Sequence, residues 1–387
     1  VGAPLLTLSG LRARFALQPE SLLDVVDDVA DRFTTSGMAY VRAPVQEAAR
    51  DLLSRYPDPS DLPLWGVPYV VDANVDVVGL PTSIGVPALD FQPDFDADVI
   101  TRLRAAGALL VGKTPIDPIG SYTPMARTAM SVAAGLVAFG IGIDRGGATA
   151  AACRGVVAIQ PSRGLVSTEG VFAITPELDG IVLFSSDVDS GTAVRCSLER
   201  AAEVDGKPVR SPIRLGVPDQ GGLGALRDSA ERLGLLAVAI DDVPFIEFAA
   251  LMNDDVWLAM RLDDIAVIFA ELPELFPPLL RGHLAGVFGR PISAQISAQR
   301  RLSDLRRHIE AAFHDCDLLF MPPEAPLSGV IAACGLAAVV LPDGEALVGP
   351  SGHDDQLAAI APALTIPNLS TSTRPIDMNA FSPLAHR

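Results

Sequence analysis

Lysine is nearly missing from this chain. Lys113 and Lys207 are the only two among 387 residues, and arginine supplies almost all the positive charge. Any chemistry that needs a lysine base therefore has two candidates. Cysteine is also sparse. Cys153, Cys196, Cys316 and Cys334 are widely spaced and form no Cys-x-x-Cys pair, which argues against a zinc site or a disulfide framework. The five histidines build no His-Glu-x-x-His motif, so no metal and no cofactor is expected. A net charge of −18 makes nucleic acid and anionic membranes poor partners. A signal-peptide layout is absent, because Arg12 and Arg14 follow the apolar Leu5–Leu8 rather than precede it. The expected compartment is a reducing cytoplasm. Residues 325–342 carry no charge, which touches the lower length limit of a spanning helix. Pro326 and Pro342 at its ends, with Gly329 and Gly335 inside, fit a buried helix or strand pair better.

What is present is apolar: 49% of residues are hydrophobic, enough for a large core. Leu22, Val25, Val29 and Phe33 recur at helical spacing and predict a helix over 20–33, with Ser21 as its cap. Residues 38–55 read as a short strand and a polar helix. Val67–Val71 is a β-branched run that drives into Asp72-Ala-Asn74, and Val75–Val78 reads as a second strand stopped by Gly79 and Pro81. A polar residue where a buried strand ends is well set to do chemistry. Asp96 is expected to cap a helix that Gly107 stops, and the strand Ala108–Val111 follows. Strand, crossover helix and strand argue for parallel pairing and an α/β class.

Residues 131–139 read as a buried small-residue helix, 140–144 as a strand ending at Asp144, and Arg145-Gly-Gly-Ala148 as a turn. Thr149–Ala158 is again small and helical in pattern. Helices are expected over 224–234, 245–271 and 293–315, the last burying Ile296, Leu302, Leu305, Ile309 and Phe313. Strands are expected at 317–321, 336–341 and 346–349, with a helix over 353–361.

Several of these pieces resemble the amidase signature family in the same order. They are Gly66-Val-Pro-Tyr69 with Gly79-Leu-Pro-Thr82, Asp98–Thr114, Val132–Phe139, Pro161–Gly170, Arg301–Arg307 with Leu318–Pro323, and Gly349-Pro-Ser-Gly-His-Asp354. The closest branch looks like the allophanate hydrolases. The resemblance implies a single α/β/α domain over 1–360, built on a mixed, mostly parallel sheet between helices, with a helical second-half lobe. Residues 361–387, rich in Pro, Ser and Thr, read as a loose tail.

It also implies a Ser–Ser–Lys relay, in which a base frees a weak hydroxyl nucleophile and backbone amides hold the oxyanion. Here the relay positions do not match. Asp72 stands at the lysine, Met125 near the bridging serine, and Ala148 at the nucleophile. Thr149 is the adjacent hydroxyl and Gly146 and Gly147 are the oxyanion-hole candidates. Asp72 or Lys113 would have to act as the base; Ser121 and Cys153 are further reactive side chains nearby in the chain. By resemblance, Arg301 matches a substrate-carboxylate clamp, a role suited to a bidentate guanidinium. Loss confined to the site, with scaffold motifs kept, is the pattern of a non-catalytic homologue. It would bind a small amide or carboxylate, form a homodimer, or pair with an active relative. The alternative is an amidohydrolase that cleaves allophanate-like C–N bonds through a rearranged site.

Overall fold

The computed structural model describes residues 6–116, 126–144, 155–173, 179–200, 212–218, 230–252, 254, 256, 259, 262–322, 327 and 329–364. Eleven strands form one mixed sheet. They are β1 (Val41–Arg42), β2 (Pro68–Asp72), β3 (Leu109–Thr114), β4 (Phe139–Asp144), β5 (Val157–Gln160), β6 (Gly180–Ser185), β7 (Arg214–Pro218), β8 (Leu236–Ile240), β9 (Leu318–Met321), β10 (Ala337–Val340) and β11 (Ala346–Gly349). Their order is β1-β3-β2-β4-β6-β5-β10-β11-β9-β7-β8. Parallel pairing is confined to two trios, β3-β2-β4 and β9-β7-β8. The pairings between and beside them run antiparallel.

The first trio is built as the sequence suggests. Val67, Tyr69, Val70 and Val71 are all at most 1% exposed, as expected of a parallel strand covered on both faces. Tyr69 stacks on Phe139 of β4 with ring centres 5.0 Å apart and planes 3° apart. Helix α1 (Leu8–Leu17) and α2 (Ser21–Thr35) pack beside it, with Leu22, Val25, Val26, Val29 and Phe33 of α2 turned into the core. Helix α3 (Val45–Arg55) buries Val45, Ala49 and Leu52. Helix α4 (Asp98–Ala105) crosses from β2 to β3, and α5 (Arg127–Ala133) leads into β4. Gly107 adopts φ +87° behind α4, a conformation that suits glycine.

Two expected caps do other work. Ser21 is the first residue inside α2, and its hydroxyl accepts a hydrogen bond from Arg14 Nε at 3.2 Å. Asp96 precedes the α4 cap, Ala97; its carboxylate accepts the Val78 N–H at 2.9 Å and pairs with Arg104. The valine run after Asn74 is not a strand. Val75 and Val77 make only isolated bridges, to Val171 and Leu80. Small apolar residues misled twice more. The helix expected at 131–139 is α5, which starts four residues earlier, and the segment ends in β4; Val157 and Ala158 lie in β5 rather than in a helix.

The second half carries α6 (Val188–Leu198), α7 (Val243–Met252), α8 (Asp263–Glu271), α9 (Pro278–Phe288), α10 (Ile292–Asp315), α11 (Val330–Ala333) and α12 (Asp354–Ile360). A separate apolar cluster of Leu262, Ile265, Phe276 and Leu284 holds the helical lobe against Ile84 and Val86. On α10, Leu302, Leu305 and Ile309 are buried as expected, while Ile296 is 45% exposed. The uncharged stretch 325–342 supplies α11 and β10, both buried. Among the described residues no helix is long and apolar enough to cross a membrane. The tail beyond residue 364 lies outside the described residues.

Gly140 on β4 lets α5 approach the sheet, while Gly142 lies against Phe184 and Asp72. A Cβ on Gly140 would run into Thr128 Cγ2. Gly140→Ala is therefore expected to cost about 1–3 kcal/mol through overpacking. Gly282→Ala on α9, where a Cβ meets nothing within 4 Å, should be neutral or stabilising by up to ~1 kcal/mol. Urea denaturation midpoints of the two variants check both.

Candidate functional site

Strands β2, β3 and β4 run parallel and end together at Asp72, Thr114 and Asp144. Crevices at the carboxyl ends of such strands are where open α/β sheets bind ligands. Strand β6 starts at the same end, since Asp144 lies opposite Gly180, and β5 finishes there at Gln160.

Asp72 is half-buried at the centre of this end. Its Oδ1 accepts from the Thr128 hydroxyl of α5 and, at 3.3 Å, from the Thr114 hydroxyl of β3. Its Oδ2 accepts the Ile143 N–H of β4 at 3.0 Å. The two threonine oxygens lie 2.5 Å apart. Thr114 and Thr128 are both 0% exposed. The carboxylate thus joins β2, β3, β4 and α5, and the Thr114 and Thr128 hydroxyls that touch it are sealed from solvent. Neither threonine was singled out from the sequence. Thr114 had a usable signal, because parallel register sets it beside Asp72; Thr128 had none, because only the docking of α5 brings it in.

Lys113 is elsewhere. Side chains alternate across a strand, so Thr114 shares the face of Asp72 and Lys113 takes the other. Its Nζ donates to the Pro81 carbonyl at 2.8 Å and reaches Thr82 Oγ1 at 3.3 Å. Thr82 in turn donates to Asp76 at 2.7 Å. Burial lowers the Lys113 pKa to about 8, partly opposed by the negative charge of Asp76. Desolvation raises the carboxyl of Asp76 in its turn. The Gly79-Leu-Pro-Thr82 turn is pinned by this buried ammonium.

The remaining expected residues are placed as follows. Met125, Gly146, Gly147, Ala148 and Thr149 lie outside the described residues, as do Ser121 and Cys153. Arg301 is exposed on α10 and its guanidinium pairs with Glu247 of α7. Among the described residues no group of three or more His, Cys, Asp or Glu side chains could hold a metal ion.

Two distant motifs close on each other beside the site. Ser162, in the turn after β5, donates its N–H to Asp354 Oδ1 at 2.9 Å and its hydroxyl to Oδ2. The Gly352 N–H donates to the same hydroxyl at 2.8 Å.

A family model for amidases matches residues 30–123, which contain Asp72, Lys113 and Thr114. The chain is similar to amidase-signature proteins. It is 27% identical over 249 residues to the urea amidolyase of Saccharomyces cerevisiae, an alignment covering 53% of this chain but 14% of that protein. It is 30% identical over 261 residues to a glutamyl-tRNA(Gln) amidotransferase subunit of Nitratidesulfovibrio vulgaris, covering 55% of this chain and 53% of that one. The match therefore spans a small part of the first relative and about half of the second. Among solved structures, Kluyveromyces lactis allophanate hydrolase superposes with a TM-score of 0.76 over 95% of this chain and 74% of its own, at 19% identity. A structure from a vestigial protein complex tied to the origins of an s-triazine catabolic enzyme gives 0.75 over 93% of this chain and 98% of its own, also at 19% identity. Similarity at that identity shows the amidase-signature fold.

Two outcomes follow from this geometry. Asp72→Ala strands two buried hydroxyls and one amide, so it should destabilise by about 2–4 kcal/mol. Asp72→Lys, the residue type that the resemblance implies at this position, should cost at least as much, because it aims a cation at the Ile143 N–H. Thermal and chemical denaturation of both variants measures this. The second outcome concerns pH. The folded state releases the Lys113 proton near pH 8, while the unfolded chain holds it to about 10.5. The unfolded state then binds more protons across that window, so stability should rise with pH between those values and be lower below them. Lys113→Met should flatten that slope in denaturation series run from pH 7 to 11.

Proposed function

We propose that this chain is an amidase-signature homologue whose amide-cleaving chemistry is silent. Its remaining role is to bind a small amide or carboxylate ligand, or to assemble with a second copy or an active relative. The observation that carries this reading is the hydrogen bonding of Asp72. In the position that the resemblance assigns to a lysine base, a carboxylate accepts from two threonines and one backbone amide. A general base must reach the proton of a nucleophile that also reaches the substrate. Among the described residues, the hydroxyls in contact with Asp72 are those of Thr114 and Thr128, both wholly buried, and Lys113 points to the other face of the sheet.

One observation favours the alternative, a rebuilt relay. A hydroxyl is in direct contact with Asp72, which is the first requirement of such a relay. Thr149 with Gly146 and Gly147 would then supply the nucleophile and the oxyanion hole. Names among the relatives support the wider reading. One solved relative comes from a vestigial complex, and one sequence relative is part of an amidotransferase. Assembly of this chain with another protein belongs to the proposal. A reducing cytoplasm fits the free thiols of Cys196, Cys316 and Cys334.

The test is ammonia release from purified protein offered allophanate, malonamate and simple amides beside an active relative. No release is expected, while malonamate should raise the thermal midpoint. Release that vanishes in Asp72→Ala or Thr149→Ala protein that still folds by circular dichroism would overturn the silent reading and establish the rebuilt relay.

A further inference from the structure

A cavity of about 530 Å³ lies between α3 and α4, over the start of β2 and β3. Side chains alternate along a strand, so Tyr69, three residues before Asp72, points to the opposite face of the sheet. Tyr69 and Leu110 are paired in the β2–β3 register and form the floor of the cavity. Ala48 and Leu52 of α3 wall one side, and Val77 and Leu80 from the loop after β2 wall another. The volume is that of a small-molecule site, and so is the make-up, apolar walls around few polar groups.

Tyr69 is 1% exposed, and its ring is held by the stack on Phe139. Its hydroxyl has no hydrogen-bond partner among the described residues; only burial and the charges of Arg104 and Asp96 bear on it. Nor is the oxygen closed off, as the Asn74 and Asp90 Oδ1 atoms are. The little surface that Tyr69 keeps therefore includes its hydroxyl, and it opens on the cavity that Tyr69 lines. Burial raises the pKa of the phenol, so the group stays protonated and offers an O–H. A buried donor left unmet costs free energy unless something in the cavity meets it. The cations at the rim are already engaged, since Arg55 pairs with Asp51 at 2.8 Å and Arg104 with Asp96. What this leaves to a ligand is an apolar chamber with one donor at its floor. Its complement is an uncharged apolar body that ends in one acceptor oxygen.

We propose that the cavity between α3 and α4 binds a small neutral ketone with an apolar body, an aryl ketone in the simplest case, whose carbonyl oxygen accepts from the Tyr69 hydroxyl. The site lies on the other face of the sheet from Asp72 and needs no cleavage to operate. Its occupancy does not depend on whether the Asp72 centre is silent.

The test is calorimetric titration and ligand-observed NMR on the full chain. The probes are acetophenone, ethylbenzene, which has the same shape without the acceptor, and benzoate, which adds a charge. Acetophenone should saturate with a dissociation constant of about millimolar order, the range open to a ligand of so few atoms. Benzoate should bind at least ~10-fold more weakly, because an apolar chamber disfavours a charge. Tyr69→Phe keeps the ring and its stack and removes only the unmet hydroxyl. It should weaken acetophenone by about 3- to 10-fold, the loss of one hydrogen bond, and leave ethylbenzene bound as before. Ala48→Phe, at an exposed position of α3 that lines the cavity, should fill the chamber and weaken both probes. No saturation by acetophenone, unchanged acetophenone binding in folded Tyr69→Phe, or an equal loss of both probes in that variant overturns the proposal. If Tyr69→Phe does not fold, undiminished binding in Ala48→Phe overturns it instead. Ammonia release is read separately, so an empty cavity and an active Asp72 centre give different results.

Discussion

One carboxylate gathers the working end of the sheet. Asp72 accepts hydrogen bonds from β3, β4 and α5 while it closes β2, so three parallel strands and one helix meet at a single side chain. Inside a protein such contacts are electrostatically stronger than in water, and each is costly to leave unmade. The close seating of α5 makes the arrangement possible. That seating depends in turn on glycine at 140, where a Cβ would run into Thr128, and a Cβ at Gly142 would stand 3.1 Å from Asp72 Oδ2. The sequence detail that looks least chemical, Gly-Ile-Gly, is thus part of how the carboxylate is held. A lysine could not simply be exchanged into this nest of donors.

Much of this was legible in the chain itself, and the reasons are physical. The buried run before Asp72 announces a covered parallel strand, and the polar residue after it announces the strand's end. Helical spacing located α2 and α10 because each buries a stripe of apolar residues. The sequence was less readable where identity and partner separate. Val75 and Val77 have strand character but, among the described residues, make only isolated bridges. Ser21 and Asp96 have capping character, yet arginines elsewhere in the fold claim them. Thr128 and the Tyr69 hydroxyl gain their meaning only from register and docking. No local pattern contains that information. The fold class survives these errors because it rests on many weak signals that agree, whereas a site rests on a few atoms that must meet.

The motifs that carry the family resemblance are also the ones that hold the two halves of the chain together. The Pro161-Ser162 turn and the closing Gly349–Asp354 segment bind each other through Ser162 and Asp354. Lys113 pins the Gly79–Thr82 turn from below. Such residues persist for the sake of the scaffold, whatever happens to the chemistry above it.

The pairing of β5 with β10 has a consequence for how the protein is made. These neighbours in the middle of the sheet are separated by nearly 180 residues of chain. At about 5–20 residues per second of synthesis, β5 leaves the ribosome roughly 9–35 s before its partner exists. Through that interval the nascent chain carries an open, wholly apolar edge, Val157-Ala-Ile, next to the finished β6. Such an edge is a template for unwanted association, so the production of this protein falls to chaperones as much as to its own stability.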